Sequence, residues 1–203
     1  HYRDTIEAGA HLAEPEAVRG MVDAAPGIVE RLLGLGTIFT PDGYQPDLRS
    51  FGGQKKKRTL YSRSSTGKQI MTALIQAVRR YEAQGLVRRY AHHSFVRLIR
   101  GDNSCGGCIV MDNHTSELVP LVAGSTIIAT GGMHGLFGNT TGSLDNTGAV
   151  TAELFRAGIP IANGQFIQYP PTTAAFSGKL LLLSESVRGE CGWLFVYRDG
   201  APY

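Results

Sequence analysis

The chain has 203 residues, 42% of them apolar, a formal net charge of +3 and 26 glycines. That is enough for one domain or slightly more with a real core, and the glycines call for tight turns or close backbone approaches. The charge is too small and scattered for a nucleic-acid-binding face, and no stretch offers the ~20 apolar residues of a membrane span. Three cysteines, Cys105, Cys108 and Cys191, make no disulfide scaffold and fit a reducing compartment.

The sequence begins at His1 without an initiator Met or a secretory leader, so it reads as an internal piece of a longer protein. His1-Tyr2-Arg3-Asp4 leads straight into a helix. A second helix opens at Glu14-Pro15-Glu16, with Pro at its first position. Val18, Met21, Val22 and Ala25 share a face, Pro26 restarts the helix, and Ile28, Val29, Leu32 and Leu33 continue its apolar side. Gly34 and Gly36 stop it. Residues 37–64, with Pro41, Gly43, Pro46, Gly52 and Gly53, read as a long loop, and its basic run Lys55-Lys56-Lys57-Arg58 reads as solvated. Ser65 or Thr66 then caps a third helix, with Ile70, Met71, Leu74, Val78 and Tyr81 at helical spacing and Gly85 at its end.

Residues 94–100 alternate as a strand, and 109–111 and 118–122 follow as two more, joined through Asp112-Asn113-His114-Thr115. This is a small antiparallel meander. Residues 126–129 form a short, β-branched apolar run that ends in Thr130-Gly131-Gly132, which reads as a buried strand of a parallel sheet ending in a turn. Ligands bind outside the carboxyl ends of such strands, and glycine lets backbone approach them closely. Gly131 and Gly132 are therefore candidates for a cofactor-facing turn, against the alternative of an ordinary strand-to-loop turn. A Gly-, Asn- and Thr-rich loop leads to Thr147, which caps a helix reaching Ala157 with Gly158 behind it. Past 166–170 the character changes, and a domain boundary is placed there.

Several motifs fail. Gly67-Lys68 is no phosphate loop, because position 62 is Ser62 and Gln69 follows the lysine. No G-x-G-x-x-G occurs. Cys105-Gly106-Gly107-Cys108 reads as a hairpin turn, with a local disulfide or part of a metal site, His114 included, as alternatives. His92 and His93 are neighbours on a strand and cannot face one site. The most chemical stretch is Ser184-Glu185-Ser186-Val187-Arg188-Gly189-Glu190, placed after a buried strand of four leucines, 180–183. A turn would bring Glu185 and Arg188 together as a proton-moving pair or as a structural ion pair.

In order, His1-Tyr2-Arg3-Asp4-Thr5, Pro26, Phe51-Gly52-Gly53-Gln54, Arg58-Thr59, Thr66-Gly67, Ala129-Thr130-Gly131-Gly132, Asn146-Thr147-Gly148, Ala157-Gly158, Phe166-Ile167-Gln168-Tyr169, Pro171-Thr172 and the 184–190 stretch resemble the flavoprotein subunit family of succinate dehydrogenase, fumarate reductase and L-aspartate oxidase. The resemblance implies an α/β fold with two parts. Residues 1–166 would be the middle and end of a Rossmann-like FAD domain that includes the meander, and 167–203 the start of a capping domain. It implies FAD as cofactor, bound along Thr130, Gly131 and Gly132, with Gly53 and Gln54 near flavin and substrate. Ser184 would bind a substrate carboxylate, and Glu185 and Arg188 would relay a proton. The implied reaction is hydride transfer between flavin and a small unsaturated dicarboxylate. An electron-transfer partner subunit is implied too, with a cytoplasmic location or a peripheral one on the inner face of a membrane.

Three positions depart from the family pattern. Pro170 stands where the family has a substrate-binding histidine, Ala149 where it has an FAD-contacting aspartate, and Cys191 where it has glycine. Losing one donor to a bound carboxylate costs on the order of 1–3 kcal/mol. These departures leave two alternatives open: a degenerate, non-catalytic relative serving as an interaction module, and a member acting on another substrate, such as L-aspartate or an enone.

Overall fold

The computed structural model describes residues 1–203 except 51–53, 170, 171, 177, 178, 184–186, 188–191, 194 and 203. The fold is mixed α/β, and every strand pair among the described residues is antiparallel. The chain divides into two compact units, residues 1–89 with 185–203, and residues 90–184.

The first unit begins with helices α1 (Tyr2–Ala8) and α2 (Pro15–Gly34), which pack on each other. The Arg19 guanidinium lies 4.3 Å from the centre of the Tyr2 ring, a cation–π contact between them. α2 runs through Pro26 without restarting, contrary to the sequence expectation. A helix held by tertiary contacts on one face tolerates the hydrogen bond that proline removes. That face carries buried Val18, with Val22, Ala25, Val29 and Leu32 half-buried, while Met21, Ile28 and Leu33 stay exposed.

The segment after α2 is more ordered than a long loop. It holds ribbons β1 (Pro41–Asp42) with β2 (Gln45–Pro46), and β3 (Leu48–Arg49) with β4 (Thr59–Leu60). Thr40 bridges them: its N–H donates to Tyr61 O, its carbonyl accepts from Asp47 N, and its hydroxyl accepts from Arg63 N. Thr37, Phe39 and Ser62 are buried here. The basic run is not uniformly solvated. Lys55 pairs with Glu7 at 3.0 Å in the open, whereas Arg58 meets Asp4 at 2.7 Å with both side chains largely buried. Two carboxylates on α1 thus hold the turn that follows residue 54.

Helix α3 (Thr66–Ala83) buries Ala73 and Ala77. Of the expected apolar stripe Ile70 is half-buried, while Met71, Leu74, Val78 and Tyr81 are exposed, as is Ile75. Ser65 occupies the cap position without a side-chain capping bond; its hydroxyl donates to Ser62 O at 3.2 Å, and the Thr66 hydroxyl accepts the Ser62 N–H. Ribbon β10 (Tyr197–Arg198) with β11 (Ala201–Pro202) completes this unit.

The second unit is built on the meander β5 (His93–Arg100), β6 (Cys105–Asp112), β7 (Leu118–Val122), against which α4 (Ala149–Arg156) packs through β5. Cys105-Gly106-Gly107-Cys108 lies inside β6 and not in the hairpin turn, so the turn expectation is corrected. Both thiols are free. The glycines serve close packing. Gly107 has φ +127°, and a Cβ there would sit 2.0 Å from the Leu121 carbonyl oxygen. A hairpin of β8 (Thr173–Phe176) and β9 (Lys179–Leu182) follows. Leu181 and Leu182 of β9 are exposed, so the expected burial of that leucine run does not hold. A two-stranded ribbon has no second layer to cover it.

Helices α2, α3 and α4 all end in the way their sequence dictates. A glycine follows at left-handed φ (Gly36, Gly85, Gly158), and the next N–H reaches back to Leu32, Tyr81 and Leu154 respectively.

Two outcomes follow for the full-length protein. Gly107→Ala combines a clash with Leu121 and a disfavoured φ, and is expected to cost roughly 2–5 kcal/mol, read as lost hydrogen-exchange protection across β6 and β7. The Arg58 hydrogen bond holds the Asp4 carboxyl below its ordinary 3.8. Its contribution is therefore present above about pH 4 and lost as pH falls through the folded value. Asp4→Asn is expected to lower stability and speed tryptic cleavage at 55–58 at neutral pH, with the stability gap closing in acid.

Candidate functional site

The stretch expected to be a parallel strand, 125–130, is extended but unpaired. Among the described residues no backbone hydrogen bond is made by 124–132 on either its N–H or its C=O side. Ile127 is 89% exposed. The paired, buried strand expected from the sequence is not formed among the described residues: a strand is defined by neighbours, and the last ladder bond between β6 and the chain after β7, Ala123 N to Gly106 O at 2.9 Å, falls just before the segment. A single tie holds the start of the segment to the meander. The Cys105 thiol donates to the Thr126 hydroxyl at 3.6 Å. Hydrogen bonding at the Gly107 backbone, then to Thr126, holds that thiol below its ordinary 9.0.

The segment ends at the Thr130-Gly131-Gly132 corner, where all three residues are exposed. Gly131 has φ +77°. The chain then folds back on itself through a short 3-10 turn, His134–Phe137, and returns along 142–148. The Gly135 N–H donates to Asn146 O at 2.9 Å. Close approaches stitch the loop together. A Cβ on Gly131 would meet the Asn146 amide at 3.3 Å, and one on Gly148 would meet Met133 at 2.9 Å. This is a self-packed loop of the Ω kind rather than a slack connection. It ends at α4, where the Thr147 hydroxyl accepts the Ala149 N–H at 3.4 Å.

Inside this loop stands a residue that sequence reasoning missed. The His134 ring lies between two glycines. A Cβ on Gly132 would sit 3.1 Å from its Cε1 and Nε2, and a Cβ on Gly142 would sit 2.8 Å from its Cγ and Cδ2. The side chain is exposed, and its ring nitrogens have no hydrogen-bond partner among the described residues. Two glycines spaced around a histidine in a loop were the available signal, but only the folded-back geometry gives them a common purpose.

Of the other predicted site residues, Gln54 is described. Its side-chain oxygen accepts the Thr59 hydroxyl at 2.9 Å, which orients the amide beside β4. Gly53, Ser184, Glu185 and Arg188 lie outside the described residues, as do Phe51, Gly52, Pro170 and Cys191. The structure thus brings Thr130, Gly131, Gly132, His134 and Asn146 together in one loop, while Gln54 belongs to the other compact unit.

The paired histidines diverge, though not as strand neighbours: His92 is a turn residue with φ +58° just before β5 begins at His93. His93 stands 3.9 Å from Asp112 and edge-on to Tyr90, and His92 lies against the His114 ring. Asp112 is a turn cap first. It accepts the His114 and Thr115 N–H groups, and the first of these bonds holds its carboxyl below 3.8. No group of three metal-ligating side chains forms among the described residues.

The corner is exposed, carries no Cβ at two consecutive positions, and has backbone donors and acceptors uncommitted among the described residues. The profile of the FAD binding domain family matches residues 1–203. The succinate dehydrogenase flavoprotein subunit of Bacillus subtilis (strain 168) is 38% identical over all of this chain and 35% of its own length. The fumarate reductase flavoprotein subunit of Mycobacterium tuberculosis (strain H37Rv) is 33% identical over all of this chain and 34% of its own length. A structure of quinol-fumarate reductase with menaquinol molecules superposes with a TM-score of 0.89 at 26% identity, covering 100% of this chain and 34% of that one. The chain spans about a third of the length of the curated relatives it matches. It belongs to the FAD binding domain family, alongside the flavoprotein subunits of succinate dehydrogenase and fumarate reductase and L-aspartate oxidase.

Proposed function

We propose that this chain is the part of an FAD-dependent oxidoreductase that receives the cofactor along Thr130, Gly131 and Gly132, and that the whole protein moves hydride between flavin and an unsaturated dicarboxylate. The observation that carries the reading is the exposed glycine corner at the end of an unpaired apolar segment. In this reading 125–129 is an inner strand of a Rossmann-like parallel sheet whose neighbours come from elsewhere in the polypeptide. The ligand then lies outside its carboxyl end. Residues 1–166 belong to that FAD domain, and 167–203 open a capping domain. The wide exposed apolar surface supports the same view, since stable monomers rarely leave such surface uncovered.

Bound FAD supplies the two-electron redox step. The chain's own residues bind, orient and protonate. Gly131 and Gly132 admit the cofactor to the backbone. Gln54, oriented by Thr59, lies near the flavin and the substrate. Ser184 holds a substrate carboxylate. Glu185 and Arg188 pass a proton to the carbon next to the one that receives hydride. An electron-transfer partner subunit completes the reaction, at a cytoplasmic site or on the inner face of a membrane. No helix among the described residues is long and apolar enough to cross one.

A second reading has a specific observation behind it. Ala149, where the family has an aspartate, begins α4 and is exposed, and Pro170 cannot donate to a carboxylate. A degenerate relative or a different substrate, L-aspartate or an enone, would account for both.

The full-length protein is expected to show a flavin absorbance band and fumarate-dependent oxidation of a reduced dye. A colourless protein would refute the reading. Glu185→Gln is expected to retain flavin and slow turnover by about 10²–10⁴, checked by steady-state kinetics. Ala149→Asp places a carboxylate at a helix N-terminus, where the dipole favours it. Tighter FAD binding in this variant is the expected outcome if position 149 once served the cofactor, measured by flavin fluorescence titration.

A further inference from the structure

We propose that His134 is a cofactor-contacting residue of the glycine corner, its imidazole donating a hydrogen bond to an oxygen of the flavin nucleotide. The proposal rests on the reading above that FAD lies along 130–132.

Three observations carry it. First, position: His134 is two residues beyond Gly132, and its Cε1 and Nε2 face the Gly132 Cα so closely that a methyl group there would stand 3.1 Å from both. The imidazole is in effect the side-chain wall of the corner. Second, constraint: Gly142 closes on Cγ and Cδ2 from the other side, so two glycines hold the ring in a slot. Third, capacity: the side chain is exposed, and its ring nitrogens are uncommitted among the described residues. His93, at the start of β5, sets a ring nitrogen 2.7 Å from Ala91 O, whereas His134 spends neither of its own on the described residues. A rigidly held imidazole with an unspent N–H beside a bare backbone corner is suited to grip a polar ligand.

The oxygen acceptors of FAD lie in its ADP half, on the diphosphate and ribose, and in its flavin half, on the ribityl chain and the ring carbonyls. ADP carries only the first set.

The test uses full-length protein stripped of flavin and titrated with FAD by fluorescence quenching, with thermal melts of each variant as a folding control. His134→Ala is expected to weaken FAD binding about tenfold or more, about 1.4 kcal/mol. His134→Gln, which keeps a donor, is expected to stay within about threefold of wild type, as retention of the hydrogen bond requires. Gly142→Ala keeps the imidazole but pushes it out of its slot, and is expected to match His134→Ala. Competition by ADP locates the acceptor. If ADP affinity falls with the histidine, the partner oxygen is in the ADP half; if only FAD affinity falls, it is in the flavin half. Wild-type binding in His134→Ala overturns the proposal while leaving the FAD reading intact. Failure of the wild-type protein itself to take up FAD overturns that reading and the role of His134 with it.

Discussion

The backbone of residues 124–132 makes no hydrogen bond among the described residues, although its side chains are those of an inner strand. Backbone amides buried without partners are very costly. A β-branched apolar segment with open amides on both edges is therefore half of an interaction. In the proposed function a sheet supplies those neighbours, and the corner is the ligand-facing end of the strand. The same deficit appears in side chains: α3 buries two alanines and turns Met71, Ile75, Val78 and Tyr81 outward.

What the chain completes by itself, it completes locally. The meander satisfies its own ladder, with each strand paired to its sequence neighbour. Gly107 permits β6 to approach β7 at a distance no side chain allows. The Asp4–Arg58 and Lys55–Glu7 pairs tie a short helix to the turn following residue 54. Of these, the Arg58 pair is largely shielded from water and matters more than its exposed neighbour, which solvent screens.

The 131–148 loop is organised by absence of side chains. Gly132 and Gly142 make room for an imidazole, Gly135 for the Leu144 and Asn146 backbone, and Gly148 for Met133. The result is a closely self-packed loop with an exposed imidazole standing on it.

The sequence by itself determined the helices α2, α3 and α4, their glycine ends at Gly36, Gly85 and Gly158, the three-strand meander and the family, because all of these depend on signals within a few residues or on ordered motifs along the chain. It misplaced what depends on distant partners. Periodicity marks an apolar face on α3 and an apolar run at 125–129 but cannot say whether anything covers them. Cys105-Gly106-Gly107-Cys108 looks like a turn until β7 is seen to need the space of a missing side chain. Only the tertiary structure decided that Arg58 is buried against Asp4 and that His134 stands between two glycines from opposite arms of one loop. Such contacts join residues whose spacing in the chain carries no record of their distance in space.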